Sequence, residues 1–313
     1  MELISFEEYK KRYIFPLVVT IGSFDGIHIG HQELIKATVL EGVKNNYKSA
    51  VITFDPHPLN IISNKNHTNI TSIIDKSHII NNFNVDYLIV INFDEEFSKI
   101  AKKEFINNYL LEINVCEVVV GKDFKFGYNG EGKAIEISSL SNNKINTKII
   151  DLIEFDNEKI GSSKIIELLK KGEIETVNTL LGYNYTFNGS VIKGNQIGRK
   201  MGFPTANIDN DSVKKLLKVG VYGVLVYLNN ESYLGMMNIG HNPTCNYQDN
   251  LSIEINLFDL DIDLYNKILK IECFCYVRDE FKFQTMDELI ERLNLDKEII
   301  INKNLMLAKK SKK

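Results

Sequence analysis

In the first half of the chain, short apolar runs alternate with segments whose apolar residues recur at helical spacing. Helical spacing is clearest in Lys103–Ile113, and two further short helices are predicted at Ser162–Lys171 and Glu173–Leu181. Strands that alternate with helices predict βαβ units, hence an α/β domain built on a parallel sheet with helices on both faces. The apolar runs predict its strands at Leu17–Phe24, Ala50–Phe54, Tyr87–Phe93, Glu117–Gly121 and Lys148–Ile153.

After Gly182 the pattern changes to short segments that are rich in β-branched and aromatic residues and are separated by turn signals. Evenly spaced strands without helices between them predict a compact antiparallel barrel. An apolar stripe that starts at Thr285 predicts a final helix. We therefore expect two domains, residues 1–182 and 183–313. The barrel strands are predicted near Tyr185–Lys193, Val221–Leu228, Tyr233–Ile239, Ser252–Phe258 and Ile268–Val277.

Composition narrows the classes of function. The 313 residues are 44% hydrophobic and 25% charged with a formal net charge of −4, which does not support a general nucleic-acid-binding surface. No apolar run reaches about 18 residues and no signal peptide is recognisable, so we expect a cytoplasmic protein without a membrane partner. The four cysteines show no CxxC spacing, which argues against a zinc or disulfide framework. Composition leaves a homo-oligomer open.

The strongest chemical signal is the segment Thr20–His31, TIGSFDGIHIGH, which joins an apolar run to an amphipathic segment. His28 and His31 are predicted to project to the same side of the first helical turn, where free backbone N–H groups can meet an anion. Gly30 keeps a side chain away from that anion. The HxGH pattern alone is most often a helix start with solvated histidines. Its place after a strand favours a nucleotidyltransferase site. There the two imidazoles would stabilise the charge that develops on phosphate oxygens during nucleotidyl transfer.

Two loops after later strands carry further candidates. FDPHP ends the second predicted strand, and His57 within it is either a phosphate contact or a surface histidine in a rigid turn. VGKDFKFG follows the fourth strand and continues into residues 127–134, which nearly spell a Walker A loop. Position 134 is alanine, so the hydroxyl that would hold Mg²⁺ is missing. A flexible loop that presents aromatic side chains to a ligand fits this stretch better.

Residues 189–207, GSVIKGNQIGRKMGFPTAN, are typical of a flap that closes over a phosphate chain. Gly194, Gly198 and Gly202 recur every four residues, and Arg199 and Lys200 supply charge. Pro204 stiffens the exit from the flap. Thr205 and Asn207 offer oxygen ligands on one strand face, which suits Mg²⁺ and nucleotide phosphates.

Glu254 lies on a predicted strand with Ser252 and Asn256, on the face opposite to Ile253 and Ile255. It is either a solvent-facing carboxylate or, if that face looks into a pocket, a base that takes a proton from an attacking hydroxyl.

Several motifs in one order make the chain resemble the prokaryotic bifunctional riboflavin kinase and FAD synthetase family along nearly its whole length. In the first half the motifs are GSFDGIHIGH, FDPHP and VGKDFKFG. In the second half they are GRKMGFPTAN, GVYGV, NIGHNPT, the strand of Glu254, and Arg278 to Phe281. The resemblance implies a Rossmann-like FMN adenylyltransferase domain followed by a six-stranded β-barrel kinase domain. It also implies ATP, riboflavin, FMN and FAD as substrates and products, with Mg²⁺ as cofactor.

Residue by residue, the resemblance implies catalytic roles for His28 and His31 in nucleotidyl transfer, for Glu254 in deprotonating riboflavin, and for Arg278 in the flavin pocket. Thr205 and Asn207 would hold Mg²⁺. The cofactor-binding set is Gly22, Phe24, Asp25, Gly30, His57, Asp123, Phe126, Lys159, Ser162, Ser163, Gly194, Gly198, Arg199, Gly202, Pro204, Thr205 and Asn207.

One segment departs from the family's Arg-x-Ser-Ser-Thr-x-x-Arg signature. The chain has Lys159 for the first arginine, Gly161 for the first serine, Ser163 for the threonine and Ile166 for the last arginine. Lysine lacks the bidentate fork of arginine, although Lys164 could compensate. Two alternatives stay open: a riboflavin kinase with a weak or inactive adenylyltransferase domain, and another nucleotidyltransferase that carries a barrel as a binding module.

Overall fold

The computed structural model describes residues 1–63, 67–151, 154–155, 158–193, 203–229, 231–241, 251–258, 260, 262 and 264–310. The chain divides into two compact units, Met1–Ser162 and Ser163–Lys313. This division groups residues 163–181 with the second unit, whereas a domain limit at residue 182 stays a prediction. Within the described residues, none of the helices combines the length and apolar character that crossing a membrane requires.

The first unit is built on a six-stranded parallel sheet in the order β1-β4-β3-β2-β5-β8. Every residue of its central strand β2 is buried, as expected for a strand covered on both faces. All five predicted strands are confirmed, and the edge strand β1 is an addition. The sheet strands are β1 Glu2–Ser5, β2 Leu17–Ile21, β3 Lys48–Asp55, β4 Tyr87–Asn92, β5 Val115–Gly121 and β8 Asn146–Ile150. Two small antiparallel pairs are β6 Lys125–Phe126 with β7 Gly132–Lys133, and β9 Glu154–Phe155 with β10 Glu158–Lys159.

Helices connect the strands of this sheet. The predicted helix at Lys103–Ile113 exists, but it is α-helical only to Phe105, then a π-helix over Ile106–Leu110 and a 3-10 turn over Leu111–Ile113. The helices are α1 Phe6–Arg12, α2 Ile29–Asn45, α3 Pro58–Ile62, α4 Ile73–Asn81, α5 Glu95–Ser98, α6 Lys102–Phe105, α7 Ile137–Leu140 and α8 Ser162–Lys171, which continues into the second unit.

The second unit contains a closed antiparallel barrel in the order β11-β12-β15-β14-β13-β16, which confirms the six-stranded barrel. The predicted helices at its start and end are also confirmed. Asn178 donates its Nδ2 to Cys273 O at 2.9 Å, so the helix before the barrel is joined to it. The strands are β11 Tyr185–Ile192, β12 Ala206–Asp209, β13 Gly220–Leu228, β14 Glu231–His241, β15 Leu251–Leu257 and β16 Ile268–Arg278. The helices are α9 Ile174–Leu181, α10 Asp211–Leu216 and α11 Met286–Lys310.

Candidate active sites

The HxGH segment forms the turn between β2 and α2. His28 is the N-cap of α2, and its Nδ1 accepts the backbone N–H of His31 at 3.3 Å. The two imidazole rings stack with centroids 3.6 Å apart. A Cβ on Gly30 would lie 3.2 Å from Nδ1 and Cε1 of His28, so the glycine also leaves room for that ring. The structure therefore brings His28 and His31 together at a helix N-terminus.

The residues before His28 hold the turn in shape. Phe24 is buried, and its ring meets His31 edge-on with centroids 5.1 Å apart. The buried carboxylate of Asp25 accepts the backbone N–H groups of Ile70 at 2.9 Å and Thr71 at 3.0 Å. Burial raises the pKa of Asp25, but the nearby His67 imidazole and these N–H donors outweigh burial and lower the pKa overall. The carboxylate of Asp25 thus stabilises the turn by binding it to the backbone of Ile70 and Thr71. Its contact with a cofactor stays a prediction.

A cavity of about 970 Å³ opens at the carboxyl ends of the parallel strands. Gly22, His57 and Phe126 of the predicted set line it, whereas His28 and His31 are not among its lining residues. Lys125 supplies positive charge to its wall, whereas Lys99 is ion-paired with Glu95, which also lines the cavity, at 2.6 Å. Its size suits a ligand as large as a flavin nucleotide. Its aromatic lining consists of Phe54, Phe93, Phe97, Phe105, Phe124, Phe126 and Tyr128.

His57 is buried, so it is not the surface histidine that one interpretation expected, and its contact with a phosphate stays a prediction. It caps α3, since its Nδ1 accepts the N–H of Leu59 at 3.2 Å, and it also lines the cavity. Burial lowers the pKa of His57 to about 4, so the ring is neutral at neutral pH. A neutral imidazole can donate a hydrogen bond to a phosphate without contributing a full charge.

The loop after β5 is not a Walker A loop. Lys125–Phe126 and Gly132–Lys133 form the β6–β7 hairpin, with a 3-10 turn over Tyr128–Gly130 between the two strands. Gly132 and Lys133 therefore lie on a strand and not in a phosphate-binding loop, and a 3-10 turn over Ala134–Glu136 leads from that strand to α7. Phe124 and Phe126 face the cavity, which agrees with a loop that presents aromatic side chains. Asp123 is exposed, and it is not among the residues that line the cavity.

Gly127 in this loop has φ 77° and ψ 179°, a conformation open almost only to glycine. An added Cβ would lie 2.8 Å from Cα and N of Lys102. We expect Gly127→Ala to lower the free energy of unfolding by at least about 1–3 kcal/mol, measured by urea denaturation. The matched control is Gly161→Ala, because an added Cβ there meets nothing within 4 Å. Equal stability of the two variants would contradict this account.

The second site lies on the barrel. Thr205 Oγ1 donates to Glu254 Oε2 at 3.2 Å, and Asn207 of β12 is directly opposite Glu254 of β15. The apolar residues that alternate with Glu254 are buried, as the strand pattern predicts. Asn256, on the face of Glu254, donates its Nδ2 to Pro204 O at 2.8 Å. The structure thus gathers Pro204, Thr205, Asn207 and Glu254 in one place.

Sequence reasoning missed one residue of this group. Asn238 lies opposite Glu254 on the neighbouring strand β14, in the register of β14 with β15. It belongs to the NIGHNPT motif, in which residue type alone singles out no individual side chain. Its signal in the sequence is an amide that stands between apolar residues of a strand.

The family model of FAD synthetase matches residues 11–164, and that of riboflavin kinase matches residues 181–303. Bifunctional riboflavin kinase/FMN adenylyltransferase of Listeria monocytogenes is 36% identical over 283 residues, which cover 90% of this chain and 90% of that protein. The protein of the same name from Bacillus subtilis is 35% identical over 285 residues, again 90% of each. The chain belongs to the bifunctional riboflavin kinase/FMN adenylyltransferase family.

A solved structure agrees in fold with this member of the family. The crystal structure of a Streptococcus pneumoniae protein described as a macrolide-efflux protein covers 96% of this chain and 99% of its own. The sequences are 27% identical and the TM-score is 0.87. The two proteins therefore share their fold, and the efflux name concerns that protein.

The structure describes only part of the segment 159–166, which corresponds to the family's arginine-containing signature. Ser162 Oγ donates to the backbone carbonyl of Asp25 at 2.9 Å, which joins the start of α8 to the HxGH turn. Ser163 is exposed and Ile166 is half-buried. The side chain of Lys159 lies outside the described part of the chain, as do the predicted flap residues Gly194, Gly198, Arg199 and Gly202.

Arg278 of the kinase half is held by a residue that sequence reasoning also missed. Its Nε donates to Asp296 Oδ2 at 2.8 Å, and Arg292 Nε lies 3.1 Å from Asp296 Oδ1. The Arg278 guanidinium also lies over the rings of Phe281 and Phe283, 5.5 and 5.7 Å from their centroids. Asp296 on α11 is fully buried, so it fixes Arg278 in one orientation.

We expect Asp296→Asn to weaken both charged contacts and to lower the free energy of unfolding by about 1.5–3 kcal/mol in urea denaturation. The KM for riboflavin should rise, because Arg278 then loses its fixed orientation. Asp287→Asn is the control, since Asp287 is exposed on the same helix. A stability equal to that of the control would show that Asp296 does not hold the arginines.

Proposed function

We propose that this chain makes flavin cofactors in two ATP-dependent steps. The barrel phosphorylates riboflavin to FMN, and the α/β unit transfers AMP from ATP to FMN, forming FAD and releasing pyrophosphate. The observation that carries the proposal is that each unit holds a site suited to one of these reactions. Family membership over both halves of the chain supports the same assignment.

In the adenylyl-transfer step, the phosphate of FMN attacks the α-phosphorus of ATP and pyrophosphate leaves. His28 and His31, at the N-terminus of α2, are placed to donate hydrogen bonds to the phosphate oxygens as charge develops. We assign the isoalloxazine ring to the aromatic cavity, whose Phe97 and Phe126 offer flat apolar surfaces. Lys125 would then contact the phosphate of FMN.

In the kinase step, Glu254 takes the proton of the ribityl hydroxyl while that oxygen attacks the γ-phosphorus of ATP, and ADP leaves. The carboxylate already accepts a hydrogen bond from Thr205, so it is oriented before substrate binds. The oxygens of Thr205 and Asn207, beside Glu254, are hard donors that suit Mg²⁺. When bound there, Mg²⁺ would neutralise charge on the transferred phosphate. Arg278 is proposed to border the flavin.

The experiment that tests this proposal is incubation of the protein with riboflavin, ATP and Mg²⁺, followed by chromatography of the flavins. FMN should form first and FAD second, and absence of any flavin product would overturn the proposal. FMN that accumulates without FAD would favour the weak-adenylyltransferase alternative. We propose a cytoplasmic location as well, because both steps consume ATP and because Cys116, Cys273 and Cys275 are free thiols.

A further inference from the structure

Within the described part of the chain, three side chains that can each ligate a metal converge beside the HxGH turn. They are Asp25, His57 and His67, and their ligand atoms all lie within 4.8 Å of one another. Asp25 lies in the turn after β2, His57 caps α3, and His67 lies just before Ile70. Asp25 and His57 are buried and His67 is half-buried. Neither proposed reaction assigns a role to this group as a whole.

The geometry of His67 and Asp25 fits two ligands of one cation. Among the described residues the buried Nε2 of His67 has no hydrogen-bond partner, and it lies 3.7 Å from Asp25 Oδ2. That distance is too long for a hydrogen bond. Two ligands of one tetrahedral ion, with bonds of about 2.0–2.1 Å, lie roughly 3.4 Å apart. A cation between the imidazole and the carboxylate would satisfy both groups after a small shift of the side chains.

The surrounding backbone holds the three residues close together without a metal. Asp25 accepts the N–H groups of Ile70 and Thr71, and the N–H of His67 donates to Asn60 Oδ1 at 2.7 Å. The rings of His57 and His67 stack with centroids 4.4 Å apart. The group is therefore preorganised, so that binding a metal orders little additional chain.

We propose that Asp25, His57 and His67 form a binding site for a divalent transition metal of the Zn²⁺ class. Two imidazole nitrogens and one carboxylate suit Zn²⁺ or Co²⁺, with a fourth position left to water or another ligand. The same donor set suits Mg²⁺ poorly, because Mg²⁺ prefers oxygen ligands. The site is thus distinct from the one assigned to Mg²⁺ on the barrel.

Two features reduce the affinity of this site. His57 Nδ1 accepts the N–H of Leu59, so a metal on Nε2 would shift the ring proton to Nδ1 and leave Leu59 without that acceptor. The buried ammonium of Lys76 interacts electrostatically with Asp25 and opposes an added cation. The site consequently exchanges its metal and fills on titration, and the protein folds without it.

The test uses the full-length chain without a polyhistidine tag, treated with chelator and then titrated with Co²⁺. Tetrahedral Co²⁺ bound to imidazole absorbs in the visible range, and one ion per chain should produce this band. His67→Ala and the bulkier His67→Gln should lose the band or weaken binding at least about tenfold. His78→Ala is the matched control, because His78 is exposed on α4 outside the group, and it should bind as the wild type does.

Zn²⁺ provides a second readout, since a ligand that binds only the folded state raises the thermal midpoint. The midpoint should rise for the wild type and for His78→Ala and stay unchanged for both His67 variants. Far-UV circular dichroism without metal shows that the variants are folded. A wild type without the Co²⁺ band, or His67 variants that bind like the wild type, would overturn the proposal. The latter result would assign the metal to other histidines, such as the His28–His31 pair.

Discussion

Replacing Glu254 with glutamine should remove most riboflavin phosphorylation, while FAD formation from supplied FMN continues at the wild-type rate. Glutamine keeps the size of the side chain and can still accept the hydrogen bond from Thr205 Oγ1. It cannot take up the proton of the attacking hydroxyl. We therefore expect kcat of the kinase step to fall by about 10²–10⁴-fold, the usual contribution of a general base.

The measurement is a steady-state assay that separates kcat from KM for riboflavin. Glu272→Gln is the matched control, since Glu272 lies on the barrel strand β16 and pairs with Tyr227 and Lys270. It should leave both reactions near the wild-type rate. If Glu254→Gln keeps a kcat within a few-fold of the wild type, Glu254 only positions Thr205, and the assignment of the base is wrong.

The second large effect is expected in the other unit. His28→Asn should lower FAD formation from FMN and ATP by about 10²–10³-fold, the cost of removing one hydrogen-bond donor to a developing charge. Asparagine is a good N-cap, so α2 should still start at Ile29 and the loss should report on the imidazole itself. Riboflavin phosphorylation should be unaffected, because Glu254 and Thr205 lie in the barrel unit.

The readout for His28→Asn is pyrophosphate release with FMN as the acceptor, and circular dichroism verifies the helix content. His78→Asn serves as the control, because it makes the same change at an exposed position of α4. A rate of FAD formation that matches this control would contradict the role of His28. It would leave His31 and the helix N-terminus as the stabilising elements.

Most strands of the two units could be predicted from local sequence patterns. Periodicity located five of the six strands of the sheet and five of the six barrel strands, because continuous apolar runs and alternating strands are local patterns. It missed β1, whose four residues are too few for a clear pattern. It also predicted one continuous helix where α6 passes into a π-helix, since the apolar spacing of the two is nearly the same.

Motifs in the sequence identified His28, His31, Thr205 and Asn207 as candidates for phosphate and magnesium contacts from residue type, spacing and place in the chain. For Glu254 the residue pattern left two interpretations open, and the resemblance to the family implied the role of a base. The sequence by itself thus determined the two-part architecture, the family and most of the candidate residues.

Only the tertiary structure decided which side chains meet. Asp296 reaches Arg278 from a separate helix, and His67 approaches Asp25 from a segment more than forty residues away. The stacking of His28 on His31 likewise depends on His28 being the N-cap of α2 and not a residue of its first turn. Contacts of this kind depend on loop paths and side-chain rotamers, which local propensity does not specify and which packing of the whole unit selects.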